Sequence, residues 1–339
     1  MRDRPEDFSE ERLRQALSEF GVSPSAVAYA PVGFGDYHWE VTGDDGRRWF
    51  VTVSDLEHKE HCGPGPAAAL DGLRQAMDTA LALRERAGLR FAVAPLATAD
   101  GSSVVALDAR YAVTVFPHVP GRTGEFGQRL DPAERDQVLA VLAALHGATP
   151  PETTPPTRVE PPGLPGLRTA LTELDAPWTG GPCAEPARAL LVEHQESLRA
   201  RLARFADLAA RVRRRGAPLV VTHGEPHPGN LILGADGFLL VDWDTVGLAL
   251  PERDLSLLMT DPTAPSDPSG PSAFGRYTEL TGRTPDADAL ALYRLRWSLL
   301  DVAEFVAWFR AEHQRTEDTE SAWKGFTATL DDLAAAERH

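Results

Sequence analysis

Residues 223–230 read HGEPHPGN, and eleven residues after the closing Asn the stretch VDWD begins, at 241–244. The surrounding residues explain this spacing. LVVT leads into the loop, LILG leaves it, ADG at 235–237 turns the chain, and FLLVDWD brings it back. Apolar runs this short, bounded by turn residues, read as strands rather than helices, and ADG between two of them reads as a tight hairpin. Gly224 and Gly229 permit backbone shapes that other residues resist, while Pro226 and Pro228 stiffen the loop. The return strand then places Asp242 beside Asn230. Phosphoryl transfer needs this kind of convergence: a carboxylate to orient the attacking hydroxyl, and carboxylate and amide oxygens to hold Mg²⁺ on the phosphates. Its catalysis is mostly positioning and charge stabilisation.

H-G-x-x-H-x-x-N, an apolar hairpin and V-D-W-D together resemble the catalytic core of the aminoglycoside phosphotransferase family, a branch of the protein-kinase-like fold. TVGLALPERDL, 245–255, is similar to segments that follow the metal-binding Asp there, notably in spectinomycin-type phosphotransferases. The match is strong over 220–255, and the order of elements extends it along most of the chain. The resemblance implies an α+β, bilobal fold. Residues 1–117 would form a small N-lobe with an antiparallel sheet, and 118–339 a larger, mainly helical C-lobe with the catalytic loop, metal site and substrate pocket. It implies ATP or GTP with Mg²⁺, a hydroxylated small-molecule acceptor such as an aminoglycoside or another antibiotic, and a role in antibiotic resistance. His223 would be a structural loop residue and Glu225 would take the place of the catalytic Asp. Asn230 and Asp242 would bind the metal, and Glu252 and Asp254 would hold the C-lobe together, with Arg253 pairing with one of them. VTVFPHV, 113–119, resembles the hinge, so backbone groups near Phe116, His118 and Val119 would receive the nucleobase.

Two positions depart from the family pattern. Glu225 carries its carboxylate on a stem one methylene longer than Asp, with a similar reference pKa. The family's third-strand Lys, which contacts the phosphates, is matched by Thr52 in RRWFVTVSD. Lys59, seven residues on, would compensate if the strand ends early; Arg47 and Arg48 are alternatives. Without any of them, the chain would be a pseudoenzyme that binds a nucleotide or another small ligand. The helix acid that would pair with the Lys could be Asp71, Asp78 or Glu85.

The N-terminal third reads as helix, hairpin, helix, hairpin. DFSEERLRQALSEF, 7–20, is an amphipathic helix that Asp7 would cap. Residues 27–55 alternate with period two, 66–87 are helical, and 90–119 return to strand. GFGDYHW, 33–39, is either a phosphate-covering turn using Gly33 and Gly35 or a plain hairpin turn. LDPAERDQVLAVLAALHGAT is a capped helix. The proline-rich 149–166 reads as a surface insertion, about 187–215 as a long helix, 261–272 as a loop, and 286–337 as mostly helical. HKEHC, 58–62, offers metal-ligand types, but no second cluster accompanies it, so a polar loop is the plainer reading. His227 would pack the loop or touch substrate; Asp244 would hold the turn or a second metal. In RLRWSLLDVAEFVAWF, Leu295, Leu299, Val302, Val306 and Phe309 share a core face. Trp297, Asp301, Glu304 and Trp308 share the other, where Asp301 and Glu304 are candidates for a cationic substrate.

Composition sets the outer limits. The chain has 339 residues, 42% hydrophobic and 25% charged, with a formal net charge of −16. That balance argues against a nucleic-acid partner. No apolar run approaches the roughly 18 residues needed to cross a membrane. The charged N-terminus lacks an apolar signal core, and two distant cysteines make no disulfide framework, so the expected location is the cytoplasm. Lysine occurs only at Lys59 and Lys324.

Overall fold

The structure, a computed structural model, describes residues 1–5, 8–258 and 271–335. Asp7, residues 261–270 of the expected loop, and 336–337 of the expected C-terminal helix lie outside that range. The chain forms two compact units. The first is built mainly from Asp3–Thr157 and Ala217–Leu290, the second from Arg158–Gly216 and the chain from Ala291 on.

The first unit opens with α1 (Glu10–Glu19), whose N-cap position is held by Ser9 rather than Asp7. β1 (Pro24–Ala30), β2 (Tyr37–Gly43) and β3 (Arg48–Asp55) form an antiparallel meander. β5 (Tyr111–Pro117) joins on the far side of β3, and β4 (Val105–Ala106) closes the order β1-β2-β3-β5-β4. The period-two pattern is that of the pleat: Trp39, Val41, Val51, Val53, Val113 and Val115 all point inward, onto Leu13 and Leu17 of α1. α2 (Pro66–Glu85) lies after β3 and buries Leu73, Ala76, Met77, Ala80 and Leu83.

Residues 90–104 are not the strand their apolar content suggests. Pro95 interrupts the run, and the segment instead hydrogen-bonds to the hairpin that follows the 223–230 loop: Val93 N–H donates to the Leu240 carbonyl and Leu240 N–H to the Phe91 carbonyl. That hairpin is β8 (Leu231–Gly234) and β9 (Gly237–Leu240), extended by β6 (Arg122–Thr123). β7 (Val220–Thr222) leads into the loop and pairs with β10 (Gly247–Ala249). The proline-rich stretch is more than a surface insertion. Thr157 N–H donates to Leu248 and Leu248 N–H to Pro155, and Thr154 is buried, so the stretch lines the outer edge of β10. α3 (Pro132–His146) starts with a complete Asp131/Glu134 capping box. It packs with β7, β9 and α7 (Gly275–Thr281) in the core that also takes Leu231, Leu240 and Trp243. α6 (Glu252–Leu255) is the single turn carrying the PERDL tail.

The second unit contains α4 (Leu164–Thr172), the long α5 (Ala184–Arg215), most of α8 (Ala287–Arg310) and α9 (Glu317–Ala335). α8 buries Leu295, Leu299, Val302, Val306 and Phe309, as its helical spacing predicts. Phe309 meets Trp323 and Phe326 of α9 at ring separations of 5.8 and 5.6 Å. Among the described residues no helix is long and apolar enough to cross a membrane.

Candidate active site

The loop 223–230 is held from below by the PERDL turn. Asp254, fully buried, accepts from His223 N–H at 2.8 Å, Gly224 N–H at 2.7 Å and His146 Nε2 at 3.0 Å. Burial alone would raise its pKa; the His146 bond, with Arg253 and His223 nearby, outweighs burial and holds the carboxyl below its usual range. Gly224 has φ 102°, and a Cβ there would overlap the Arg253 guanidinium and come within 2.6 Å of Thr245 Oγ1. Arg253 does not pair with Glu252 or Asp254, as expected from the sequence; it donates to Thr222 Oγ1 at 2.9 Å and the Thr245 carbonyl at 2.8 Å. Glu252 instead accepts from Asp286 N–H.

His223 stands at the start of the loop. It is wholly buried, and burial pushes its pKa down to about 4, so the ring is neutral. Nε2–H then donates to the Val241 carbonyl at 2.9 Å, while Nδ1 accepts from Glu225 N–H at 3.3 Å. Asn230 Nδ2 donates to the Glu225 carbonyl at 3.1 Å, and Val241 N–H donates to the Asn230 carbonyl at 3.1 Å. Glu225 is thus pinned at both backbone groups, and the hairpin brings Asn230 and Asp242 to adjoining strand ends. His227 meets Phe126 edge-on at 5.1 Å and contacts Asn230 at 3.4 Å; burial lowers its pKa to about 4.

Asp242 has φ 67°, alone among the described non-glycine residues in taking a left-handed backbone. Such a conformation is retained where a side chain must be aimed. Though part of Asp242 is open to solvent, desolvation pushes its carboxyl well above the usual range, and Asp244 and Glu225 push it further. A hard divalent ion such as Mg²⁺ would relieve this crowding and fits oxygen donors such as Asp242 and the Asn230 amide. Mg²⁺ is commonly held by one or two protein groups with the rest of its shell from phosphate and water. Among the described residues no group of three or more His, Cys, Asp or Glu side chains is set to hold a metal.

HKEHC serves the site differently. β3 ends at Asp55, whose carboxylate accepts from Glu57 N–H and takes the Arg110 fork at 2.9 and 2.7 Å. The chain turns there and Lys59 folds back, only 5% exposed. Its ammonium donates to Asp36 Oδ2 at 2.6 Å and to Asp244 Oδ2. His61 Nε2 lies 3.1 Å from the same Asp244 oxygen. Burial opposes both charges, but the Asp244 and Asp36 carboxylates hold Lys59 well above its ordinary pKa, and Lys59 and His61 hold Asp244 well below. Thr52 carries no cation; its hydroxyl meets His38 Nδ1 at 3.2 Å, and that ring feels Asp36, Lys59 and Asp244. Lys59 therefore brings its ammonium into the neighbourhood that position 52 faces. Arg47 and Arg48 do not: they pair with Asp45 and Glu40 on the surface. None of the three helix acids partners Lys59. Asp71 faces Arg74, Asp78 accepts from Ser103, and Glu85 is exposed at the end of α2.

Residues 27–293 match the model of the phosphotransferase enzyme family. The chain belongs to that family. It is similar to protein StrN of Streptomyces griseus, with 29% identity over 295 residues, covering 83% of this chain and 85% of that protein. Its fold is similar to that of a spectinomycin phosphotransferase solved with ADP and spectinomycin: TM-score 0.72, 15% identity, 99% of this chain and 100% of that one. An amicoumacin kinase solved with AMP-PNP and Ca²⁺ is similar at TM-score 0.58 and 11% identity, covering 96% of this chain and 93% of that one. At such identities the likeness speaks for the kinase-like fold.

Two other parts of this phosphotransferase-family chain carry the residues that the sequence marks as candidates for a nucleotide. Gly33 and Gly35 both take positive φ, 72° and 95°, in the turn before β2. In the hinge, Phe116 pairs with Phe50, Pro117 and Pro120 have no N–H, and His118 N–H donates to the Arg48 carbonyl. Val119 N–H is the hinge donor with no acceptor among the described residues. Asp301 and Glu304 lie on α8 of the second unit, half-buried and exposed respectively. Asp36 was missed in the sequence; its signal was its place directly after GFG.

Proposed function

We propose that this chain transfers the γ-phosphoryl group of ATP or GTP to a hydroxyl of a small molecule, of the class that includes aminoglycosides and other hydroxylated natural products. The observation that carries the reading is the meeting of Lys59 with Asp36 and Asp244, beside Asp242, Asn230 and Glu225. It supplies the cation that Thr52 cannot.

In this reading the Glu225 carboxylate accepts the hydrogen bond of the acceptor hydroxyl, turns its oxygen lone pair toward the γ-phosphorus and takes its proton as that O–P bond forms, while the bond from the γ-phosphorus to the bridging oxygen breaks and ADP or GDP leaves. The His223 and Asn230 bonds to the Glu225 backbone keep that carboxylate in place. Asp242 and the Asn230 amide oxygen hold Mg²⁺, which when bound neutralises phosphate charge. Lys59 donates to the phosphates, the Gly33–Gly35 turn covers them, and Val119 N–H donates to a ring nitrogen of the base. The fold neighbours solved with ADP and with AMP-PNP support a nucleotide at this site.

Calorimetry with ATP, GTP and Mg²⁺, on wild type and Asp242→Ala, tests the reading. Magnesium-dependent binding is expected, with loss in the variant; a screen of hydroxylated antibiotics for phosphorylation is the next step. A folded wild type that binds neither nucleotide overturns the proposal in favour of a ligand-binding protein of the same fold.

A further inference from the structure

The partners of Lys59 determine where its ammonium is held, and their role at a nucleotide site rests on the phosphotransfer reading. The face of α2 that packs into the core carries Leu73, Ala76, Met77, Ala80 and Leu83, with no acid among them. The carboxylates on Lys59 come from elsewhere. Asp36 ends the glycine turn, and Asp244 stands two residues beyond Asp242. Asp36 is 7% exposed; one carboxylate oxygen takes Lys59 at 2.6 Å, and the other, also buried, has no partner among the described residues. A buried carboxylate is costly unless a charge and hydrogen bonds offset it. Lys59 is the charge on this one.

The ammonium has three donors, and two are engaged among the described residues, one by Asp36 and one by Asp244. These two acids lie on different segments. Asp244 draws Lys59 toward the end of the catalytic hairpin, and Asp36 draws it toward the turn.

We propose that Asp36 is the positioning residue for Lys59. The lysine–carboxylate pair of the nucleotide site is built from the turn before β2 and the turn after β3, and α2 supplies neither member. The pair ties the glycine turn to the ammonium, so the two are set together over the phosphates. Without the Asp36 charge, Lys59 collapses onto Asp244 and its remaining donors leave the phosphate path.

Lysine scarcity makes this testable directly. The chain has Lys59 and Lys324 alone, and Lys324 is exposed on α9. Protein labelled with ¹³C and ¹⁵N in lysine gives two side-chain signals, and Lys59→Arg identifies which is which. Asp36→Asn is expected to move the Lys59 signal, leave that of Lys324, and weaken ADP binding about tenfold, the loss of one charge-assisted bond. Asp78→Asn, on α2, is expected to leave both signals. Asp36→Glu keeps the charge and is expected to bind ADP within about threefold of wild type. It also carries the test if the neutral variant does not fold, because lengthening the partner's stem must move the Lys59 signal.

An unmoved Lys59 signal in the folded Asp36 variants overturns the proposal. So does an Asp36→Glu protein as weak as Asp36→Asn, because the shape of the turn would then carry the effect rather than its charge. The two readings fail separately. If wild type binds no nucleotide while Asp36→Asn still moves Lys59, phosphotransfer falls and the pair stands. If nucleotide binds and Lys59 does not respond, the pair falls and phosphotransfer stands.

Discussion

The loop 223–230 and the lysine station sit side by side but are put together differently. In the loop, the groups that act and most of those that hold them lie between His223 and Asp254, joined by short-range bonds such as Asn230 to Glu225 and His223 to Val241. The lysine station draws on three separate segments, through Asp36, Lys59 and Asp244. In the proposed phosphotransfer the difference fits the task of each. A general base and metal ligands need fixed mutual angles, and one stiff loop on a hairpin fixes them. A cation on phosphate needs only to arrive, and an ammonium on a flexible four-carbon stem reaches one point from many backbone positions.

Removing the ammonium gives the largest effect. Lys59→Ala is expected to lower kcat/KM about a hundredfold, mostly through nucleotide KM, since it deletes a charge-assisted bond to phosphate and leaves the buried Asp36 without its cation. Thr52→Lys in the wild type is expected to give no gain, because His38 already fills the face of β3 on which it would emerge. A large gain from Thr52→Lys, or a Lys59→Ala protein within about threefold of wild type, breaks the comparison: the station would then be an impaired strand site, not a displaced one.

Shortening the loop acid tests the other side. Both backbone groups of Glu225 are engaged, so the loop cannot advance when the stem is cut. Glu225→Asp pulls the carboxylate back by one methylene and is expected to lower kcat about tenfold with nucleotide KM unchanged, as a displacement on the order of 1 Å implies. Steady-state kinetics with ATP and a phosphorylated acceptor read it. A rate equal to or above wild type would mean that the loop is not as stiff as its bonds imply.

The same contrast governs how much of the molecule was legible in the sequence. The loop, the hairpin and the nearness of Asn230 to Asp242 were readable from turn residues and two short apolar runs, and the sheet from its period. β10 was hidden inside the PERDL tail because three residues carry no period. The stretch 90–104 carries the apolar content of a strand, and Ala92, Val93 and Ala94 are buried, but by bonding to β9 ahead of Pro95 rather than as a strand. Arg253 beside two acids suggested ion pairs, yet it serves Thr222 and Thr245 under Gly224. Lys59 was visible as a candidate because lysine is scarce. Its partner was not, because the family pattern points to a helix acid, whereas Asp36 stands twenty-three residues before the lysine on another turn.

The smallest effect probes how the loop bearing Lys59 is seated. A Cβ on Gly72, in the second turn of α2, would overlap the carbonyl of Cys62, so the helix and the 59–63 turn touch backbone to backbone. Within that turn the Lys59 carbonyl takes Cys62 N–H at 2.9 Å and Gly63 N–H at 3.3 Å, which makes it one rigid piece. Gly72→Ala therefore pushes the whole turn outward rather than bending one bond. The helix itself gains about 0.5–1 kcal/mol from losing a mid-helix glycine, which offsets the overlap, so the melting temperature is expected to change little. ADP affinity is expected to fall about threefold, as a tether displaced but intact would give. Affinity that falls with no loss of stability places the effect on Lys59. A stability loss with affinity retained would mean that α2 only supports the fold, and that Asp36 and Asp244 seat the lysine unaided.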